Sequence, residues 1–240
     1  PLTKIRTYAD ELDVRVHMHI HETAGEVSDS QDKYGKRPLA RLDELGLLND
    51  NLLAVHMTQL TSHEIARCAA TGVQVLHSPE SNLKLASGLC SVQGLLDAGI
   101  NVALGTDSVA SNNDLDMIGE MRTAAFIGKI AADDAAAVSA DTALAMATIN
   151  GARALGLAET TGSITAGKQA DLAAVDLSAL ETRPLFDPIA ALVYNTSREQ
   201  VTDTWVAGKA LMRDRGLTTL DEAELLTRAD AWADRLVRYA

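Results

Sequence analysis

Between Val14 and Ser108, four short aliphatic stretches alternate with segments of helical periodicity, and this rhythm constrains the fold more than any other feature of the chain. VRVHMHIH (14–21) sets Val14, Val16, Met18 and Ile20 on one face of a strand and Arg15, His17, His19 and His21 on the other. LLAVHMT (52–58), VQVLHSP (73–79) and NVALGTDS (101–108) are the other three. Helical patterns precede them: PLARLDELGLL with Pro38 near its start, TSHEIARCAATG with N-cap signals in Thr61 or Ser62 and Glu64, and SVQGLLDAG closed by Gly99. Longer helices are expected over 116–132 and 140–155. The alternation predicts parallel βα units. Their polar residues gather at the carboxyl ends of the strands, at His19 to Glu22, His56, His77 to Ser81 and Asp107. In a (β/α) barrel that rim is where sites are built.

After about residue 160 the texture changes, which predicts two units, 1–160 and 161–240. GSITAGKQADLAAVDL reads as turn residues and then a strand over 171–177. VTDTWVAGKALM has the look of a hairpin, and the last segment keeps Leu225, Leu226, Ala229, Trp232 and Leu236 at helical spacing. The opening PLTKIRTYADEL is an amphipathic helix pattern, with Leu2, Ile5 and Leu12 on one face. It lacks the apolar core of a signal peptide, and no run approaches the ~20 apolar residues of a membrane helix.

Aromatic residues make up 3% of the chain, so its core is to be built from Ala, Leu, Val and Ile. With 33 acidic against 21 basic side chains the net charge is −12, a poor match to a phosphate backbone. Neither a nucleic-acid nor a membrane partner is expected. Cys68 and Cys90 show no CxxC spacing and read as reduced thiols of a cytoplasmic protein.

The aliphatic face of the first strand is to meet helices, which leaves its histidines in a barrel interior. A lone histidine there reads most simply as part of a polar face. Three together shift the balance, because imidazoles buried without partners are costly and a metal bound by at least one of them relieves that cost. His56 is open between a satisfied core histidine and a site residue. His77 begins HSPESNLKLASG, a loop suited to a lid or substrate contact. His63, at a helix start, reads as surface. Asp107 ends the strand INVALGTD, with the small Ala103 and Gly105 at the same parity leaving room beneath it. A carboxylate at the mouth of an apolar strand needs a cation or several donors.

Together, His19-x-x-Glu22, His56, HSPESN and GTDSVASNN resemble the metal-dependent amidohydrolase superfamily. With VHMHIHET, LGTDSVASNN and GSITAGKQADLAAVDL, nearly the whole chain is similar to the bacterial 5-methylthioadenosine/S-adenosylhomocysteine deaminases. The resemblance implies a (β/α)8 TIM-barrel fold, here the half with strands five to eight, plus part of a small β-sandwich and a C-terminal helix. It implies one divalent metal, zinc first and iron or manganese as alternatives. His19 and Asp107 match metal ligands. Glu22 matches the glutamate that shuttles protons and contacts the substrate ring, His56 the histidine that hydrogen-bonds the hydrolytic water, and Asp107 the base that takes that water's proton. His77 and Ser111 fall in loops that line the family's site, so Glu22, Asp107, His77 and Ser111 are the expected substrate contacts. Strand parity opposes Glu22 to His19, so the chain must leave strand geometry there, with Thr23–Ala24–Gly25 the expected place.

The implied chemistry is hydrolytic deamination of a 6-aminopurine nucleoside to its 6-oxo product and ammonia. The superfamily also uses a His-x-His pair at the end of its first barrel strand. His17-Met18-His19 has that spacing, but its surroundings match the fifth strand. The chain is therefore expected to be the carboxyl-terminal half of a longer enzyme, completed by the other half or a complementing chain and forming a homo-oligomer. Two further readings are another enzyme of the same branch, of guanine deaminase or triazine hydrolase type, and an inactive assembly partner without the His-x-His pair.

Overall fold

The structure, a computed structural model, describes residues 1–237. The four expected strands are present as β1 (Val16–Ile20), β2 (Leu52–His56), β3 (Gln74–His77) and β4 (Val102–Leu104). They form one parallel sheet in the order β1-β2-β3-β4. Ile20 lies beside His56, and His77 beside Leu104, so the strands end level and bring their polar carboxyl ends to one rim.

Side-chain alternation sorts the two faces of this sheet. Ile20, Leu52, Ala54, Val75 and Val102 face the helices and are buried with Leu39, Leu42 and Leu95, while Val16 and Met18 pack against them. Complete burial of one such side chain stabilises by about 1.5–3 kcal/mol, so this layer dominates the stability of the unit. On the other face Leu53 and Ala103 meet Ala154 of helix Ile149–Ala154, with Leu76 alongside. Every residue of β2 is buried, as a central strand of a parallel sheet requires. β1 has no strand on its outer side among the described residues, and His17 and His19 on it are exposed.

The helices follow their end signals. Ser62–Thr71 starts at a complete capping box of Thr61 and Glu64 and stops at Gly72, whose φ is 77°. Asp116 caps Met117–Ala132 by accepting from the backbone N–H of Ile118. Two expectations are corrected. The helix expected over 140–155 is two, Ala140–Ala147 and Ile149–Ala154, broken at Thr148, whose backbone leaves the helical region. HSPESNLKLASG is not a plain loop: Pro79–Lys84 is a short helix with Pro79 at its first position. Ala24–Tyr34 is also helical.

The second sheet is antiparallel, in the order β5 (Leu172–Val175), β6 (Val201–Val206), β7 (Lys209–Arg213) and β8 (Gly216–Leu217). Ala207 and Gly208 join β6 to β7 with φ of 49° and 78°, the left-handed pair of a type I′ turn. Helix Pro188–Tyr194 leaves this layer and seats Val193 among Ile118, Met121, Ala125 and Ala143, tying the two sheets' surroundings together. The last described helix, Glu222–Val237, buries no residue. Residues 238–240 of the expected terminal helix lie outside the described residues. No described helix is long and apolar enough to cross a membrane.

Candidate metal centre

Four side chains converge at the rim of the parallel sheet. His19, near the end of β1, brings its Nε2 to 3.9 Å from Asp107 Oδ1. His56 Nε2 lies 3.8 Å from Glu22 Oε2 and 3.9 Å from Asp107 Oδ2. The rings of His19 and His56 meet edge to face at 4.8 Å. His19, Glu22 and His56 each offer a donor atom within 4.8 Å of the others. The fold thus brings Glu22, His56, Asp107 and His19 together.

Backbone geometry at the strand ends makes this convergence. His21, His56, Met57 and Asp107 have φ of 54°, 73°, 52° and 63°. A left-handed conformation costs a residue with a Cβ about 1–2 kcal/mol, so each must be held by its surroundings. At β1 the exit lies at His21, not at Thr23–Gly25; Thr23 instead caps helix Ala24–Tyr34. The kink is held by Glu26, whose carboxylate accepts from the backbone N–H of His21 at 3.1 Å and of Glu22 at 2.7 Å. Thr58 Oγ1 donates to the Glu22 carbonyl at 2.7 Å from the neighbouring strand. Glu22 is thereby turned towards the same space as His19.

The kink also separates the histidines. His17 and His19 share one face, but His21 turns away beneath helix Pro38–Glu44, fully buried, where its Nε2 accepts from the Leu39 N–H at 3.2 Å. Burial lowers its pKa, with nearby Glu64 opposing. His17 is lowered by its own partial burial and by His19, against the pull of Asp107.

Asp107 is held by hydroxyls. Ser81 Oγ donates to its Oδ2 at 2.7 Å and Ser111 Oγ to the same atom at 2.8 Å. Burial disfavours its charged form, but these bonds, with the Ser108 backbone and His56, outweigh burial and hold the carboxyl below its usual range. Ser111 therefore reaches the site through Asp107. His56 is completely buried, and its Nδ1 lies 2.8 Å from Asn82 Oδ1, while its Nε2 has no hydrogen-bond partner among the described residues. His77 is buried at the end of β3 with both ring nitrogens unpartnered among the described residues, and burial together with His56 pushes its pKa down to about 3.

Sequence reasoning missed Asn82, the bond of Ser81 to Asp107, and Glu26. The Thr23-x-x-Glu26 spacing was a usable helix-start signal. Glu120 was missed as well. It is fully buried on helix Met117–Ala132, accepts from Asn112 Nδ2 at 2.6 Å and from the Glu80 N–H at 3.3 Å, and burial raises its carboxyl to about 8. It fastens the helix that carries Ser81 and Asn82 and the turn that carries Ser111.

A parallel α/β sheet of TIM-barrel type, with imidazoles and carboxylates gathered at the carboxyl ends of its strands, is the class of protein that the fold and the cluster define. The chain belongs to the amidohydrolase family, whose sequence profile matches residues 2–211. It is 49% identical over 236 residues to a 5-methylthioadenosine/S-adenosylhomocysteine deaminase of Teredinibacter turnerae, covering 98% of this chain and 53% of that protein. A deaminase of the same name from Haloarcula marismortui is 47% identical, with 96% and 53% covered. Among solved structures, an adenosine deaminase from Xanthomonas campestris with bound zinc superposes with a TM-score of 0.97 at 56% identity, over 100% of this chain and 54% of that one. The zinc complex of an atrazine chlorohydrolase from Arthrobacter aurescens gives a TM-score of 0.90 at 27% identity, over 96% and 51%. The chain spans about half the length of the curated relatives it matches.

Proposed function

We propose that this chain carries part of the active site of a metal-dependent deaminase that hydrolyses 6-aminopurine nucleosides, with 5-methylthioadenosine and S-adenosylhomocysteine as the expected substrates. The observation that carries this reading is the cluster of His19, Glu22, His56 and Asp107. Its donors suit a divalent cation of the zinc type. His56 Nε2 is buried with no hydrogen-bond partner among the described residues, and its nearest carboxylate oxygens there stand 3.8 and 3.9 Å away. That is beyond hydrogen-bond reach but within the span of two groups that share one water.

In this reading His19 and Asp107 would hold the ion, which when bound would lower the pKa of a water towards neutrality. Asp107, kept ionised by Ser81 and Ser111, takes a proton from that water. Glu22 faces the substrate ring and delivers a proton to its nitrogen, and His56 directs the water towards the amino-bearing carbon. His77, one strand further on, and Ser111 would be the further substrate contacts in this reading. We further infer that ligands from outside the described residues complete the metal set, since the side chain of His19 is 53% exposed along the open edge of β1.

Two measurements test the reading. Metal analysis of the chain joined by a complementing amino-terminal half is expected to find one zinc per site, lost in His19→Ala. Ultraviolet absorbance is expected to show deamination of methylthioadenosine, slowed at least 100-fold in Glu22→Gln. A complemented protein that binds zinc but deaminates neither nucleoside would refute the substrate class. One that binds no zinc would refute the metal reading.

A further inference from the structure

We propose that Asn82 is a positioning residue: its side-chain oxygen holds His56 as the Nδ1–H tautomer and leaves the Nε2 lone pair aimed at the space that His19, Glu22 and Asp107 surround. Asn82 Oδ1 lies 2.8 Å from His56 Nδ1. An amide oxygen only accepts, so the proton of that bond belongs to the imidazole. Both side chains are almost fully buried, and bulk water offers neither another partner.

The reversed amide would present an N–H donor to Nδ1 and move the ring proton to Nε2. That proton would then face Glu22 Oε2 and Asp107 Oδ2 at 3.8 and 3.9 Å, too far to satisfy it. A Nε2 lone pair among two carboxylates and a second imidazole is instead what a cation or a polarised water at this position requires.

The support of Asn82 is as specific as its contact. It sits on helix Pro79–Lys84, one residue after Ser81, which donates to Asp107 Oδ2 at 2.7 Å. One turn of helix therefore sets two neighbouring site groups, the carboxylate through Ser81 and the imidazole through Asn82. The helix is fastened in turn: the Glu80 N–H donates to Glu120, and Thr123 Oγ1 donates to Glu80 Oε1 at 2.9 Å. Ser87 N–H donates to the Asn82 carbonyl at 2.9 Å, fixing the backbone beyond it. Among the described residues the amide nitrogen has no hydrogen-bond partner, so the contact to His56 is what orients the amide.

The inference deepens the proposed metal reading but is measured without it. Long-range proton–nitrogen correlation spectra of the 15N-labelled chain at about pH 8, above the ordinary imidazole range, report the tautomer of each histidine. The expected result for His56 is a pyrrole-type Nδ1 and a pyridine-type Nε2. Asn82→Ala is expected to lose this pattern, and Asn82→Asp, which keeps an acceptor, is expected to retain it. A pyridine-type Nδ1 in the parent chain overturns the proposal, as does an unchanged His56 pattern in folded Asn82→Ala. Should the alanine variant fail to fold, Asn82→Asp decides, and a switch of the proton to Nε2 in it overturns the proposal. Adding zinc alone to the complemented protein separates the two readings. Failure to take up zinc with the Nδ1–H pattern intact removes the metal reading and supports the tautomer lock.

Discussion

The residue that does most to turn a strand into a site is Glu26. Its carboxylate takes the backbone N–H groups of His21, where the chain leaves β1 in a left-handed conformation, and of Glu22 just after it. Charge-assisted bonds of this kind contribute about 1.5–3 kcal/mol each. Glu26→Ala is expected to destabilise by about 2–4 kcal/mol in urea unfolding and to speed hydrogen exchange at the His21 and Glu22 amides. Glu26→Gln, which keeps one acceptor oxygen, is expected to lose less. Equal stability of the alanine variant and the parent would show that the kink is held by Thr58 and the neighbouring strand instead.

Among the elements, helix Met117–Ala132 shows packing overriding propensity. Gly128 lies in its interior, where alanine alone would gain about 1 kcal/mol. A Cβ there would stand 2.4 Å from Val138 Cγ2 and 2.9 Å from Val138 Cβ. Val138 is itself buried and left-handed, at φ 42°, so it has little room to yield. Overpacking of this kind costs about 1–3 kcal/mol, so Gly128→Ala is expected to lower the urea midpoint although it improves the helix. The same contest of local signal and packing decides what was legible beforehand. The four strands of the parallel sheet could be read because their aliphatic alternation is the property that packs them, and their polar ends named His19, Glu22, His56 and Asp107. The need for a kink before Glu22 could be read from strand parity, but its place at His21 could not, since no glycine marks it and its support comes from Glu26 and Thr58. Ala24–Tyr34 escaped because it buries only Val27 and Ser30, too thin a stripe for periodicity to show. The break at Thr148 falls in an alanine-rich run with no proline or glycine at that point. Glu120 was hidden by its charge: an acid on the buried face of a helix is intelligible only once Asn112 and the Glu80 N–H are seen to meet it.

For the whole molecule, two buried groups with displaced pKa values set opposite limits on stability. His77 is held to about 3 from an ordinary 6.5, first by burial and then by His56. Its folded form is neutral, so between pH 6.5 and 3 the unfolded chain binds the extra proton and stability falls as pH falls. Glu120 is raised to about 8 from 4.5, first by burial, with Glu80 and Asp114 adding to the effect against the hydrogen bonds it accepts. Between pH 4.5 and 8 the folded chain retains the proton that the unfolded chain has released, so stability falls as pH rises. Each window changes the folding equilibrium by as much as tenfold per pH unit. Between 4.5 and 6.5 the two slopes oppose each other, and the contributions of these groups nearly cancel. Below 4.5 the His77 arm remains, reinforced by Asp107 and Glu64, whose carboxyls are held below their usual range. From 6.5 to 8 the Glu120 arm acts without that opposition. Urea unfolding across this range is therefore expected to show only a shallow slope at pH 4.5–6.5, set by the lowered imidazoles of His21 and His17, with a steeper decline on each side. Glu120→Gln, which has no proton to release, is expected to flatten the alkaline decline and leave the acid one in place. An alkaline decline of undiminished slope in that variant would place its origin elsewhere in the molecule.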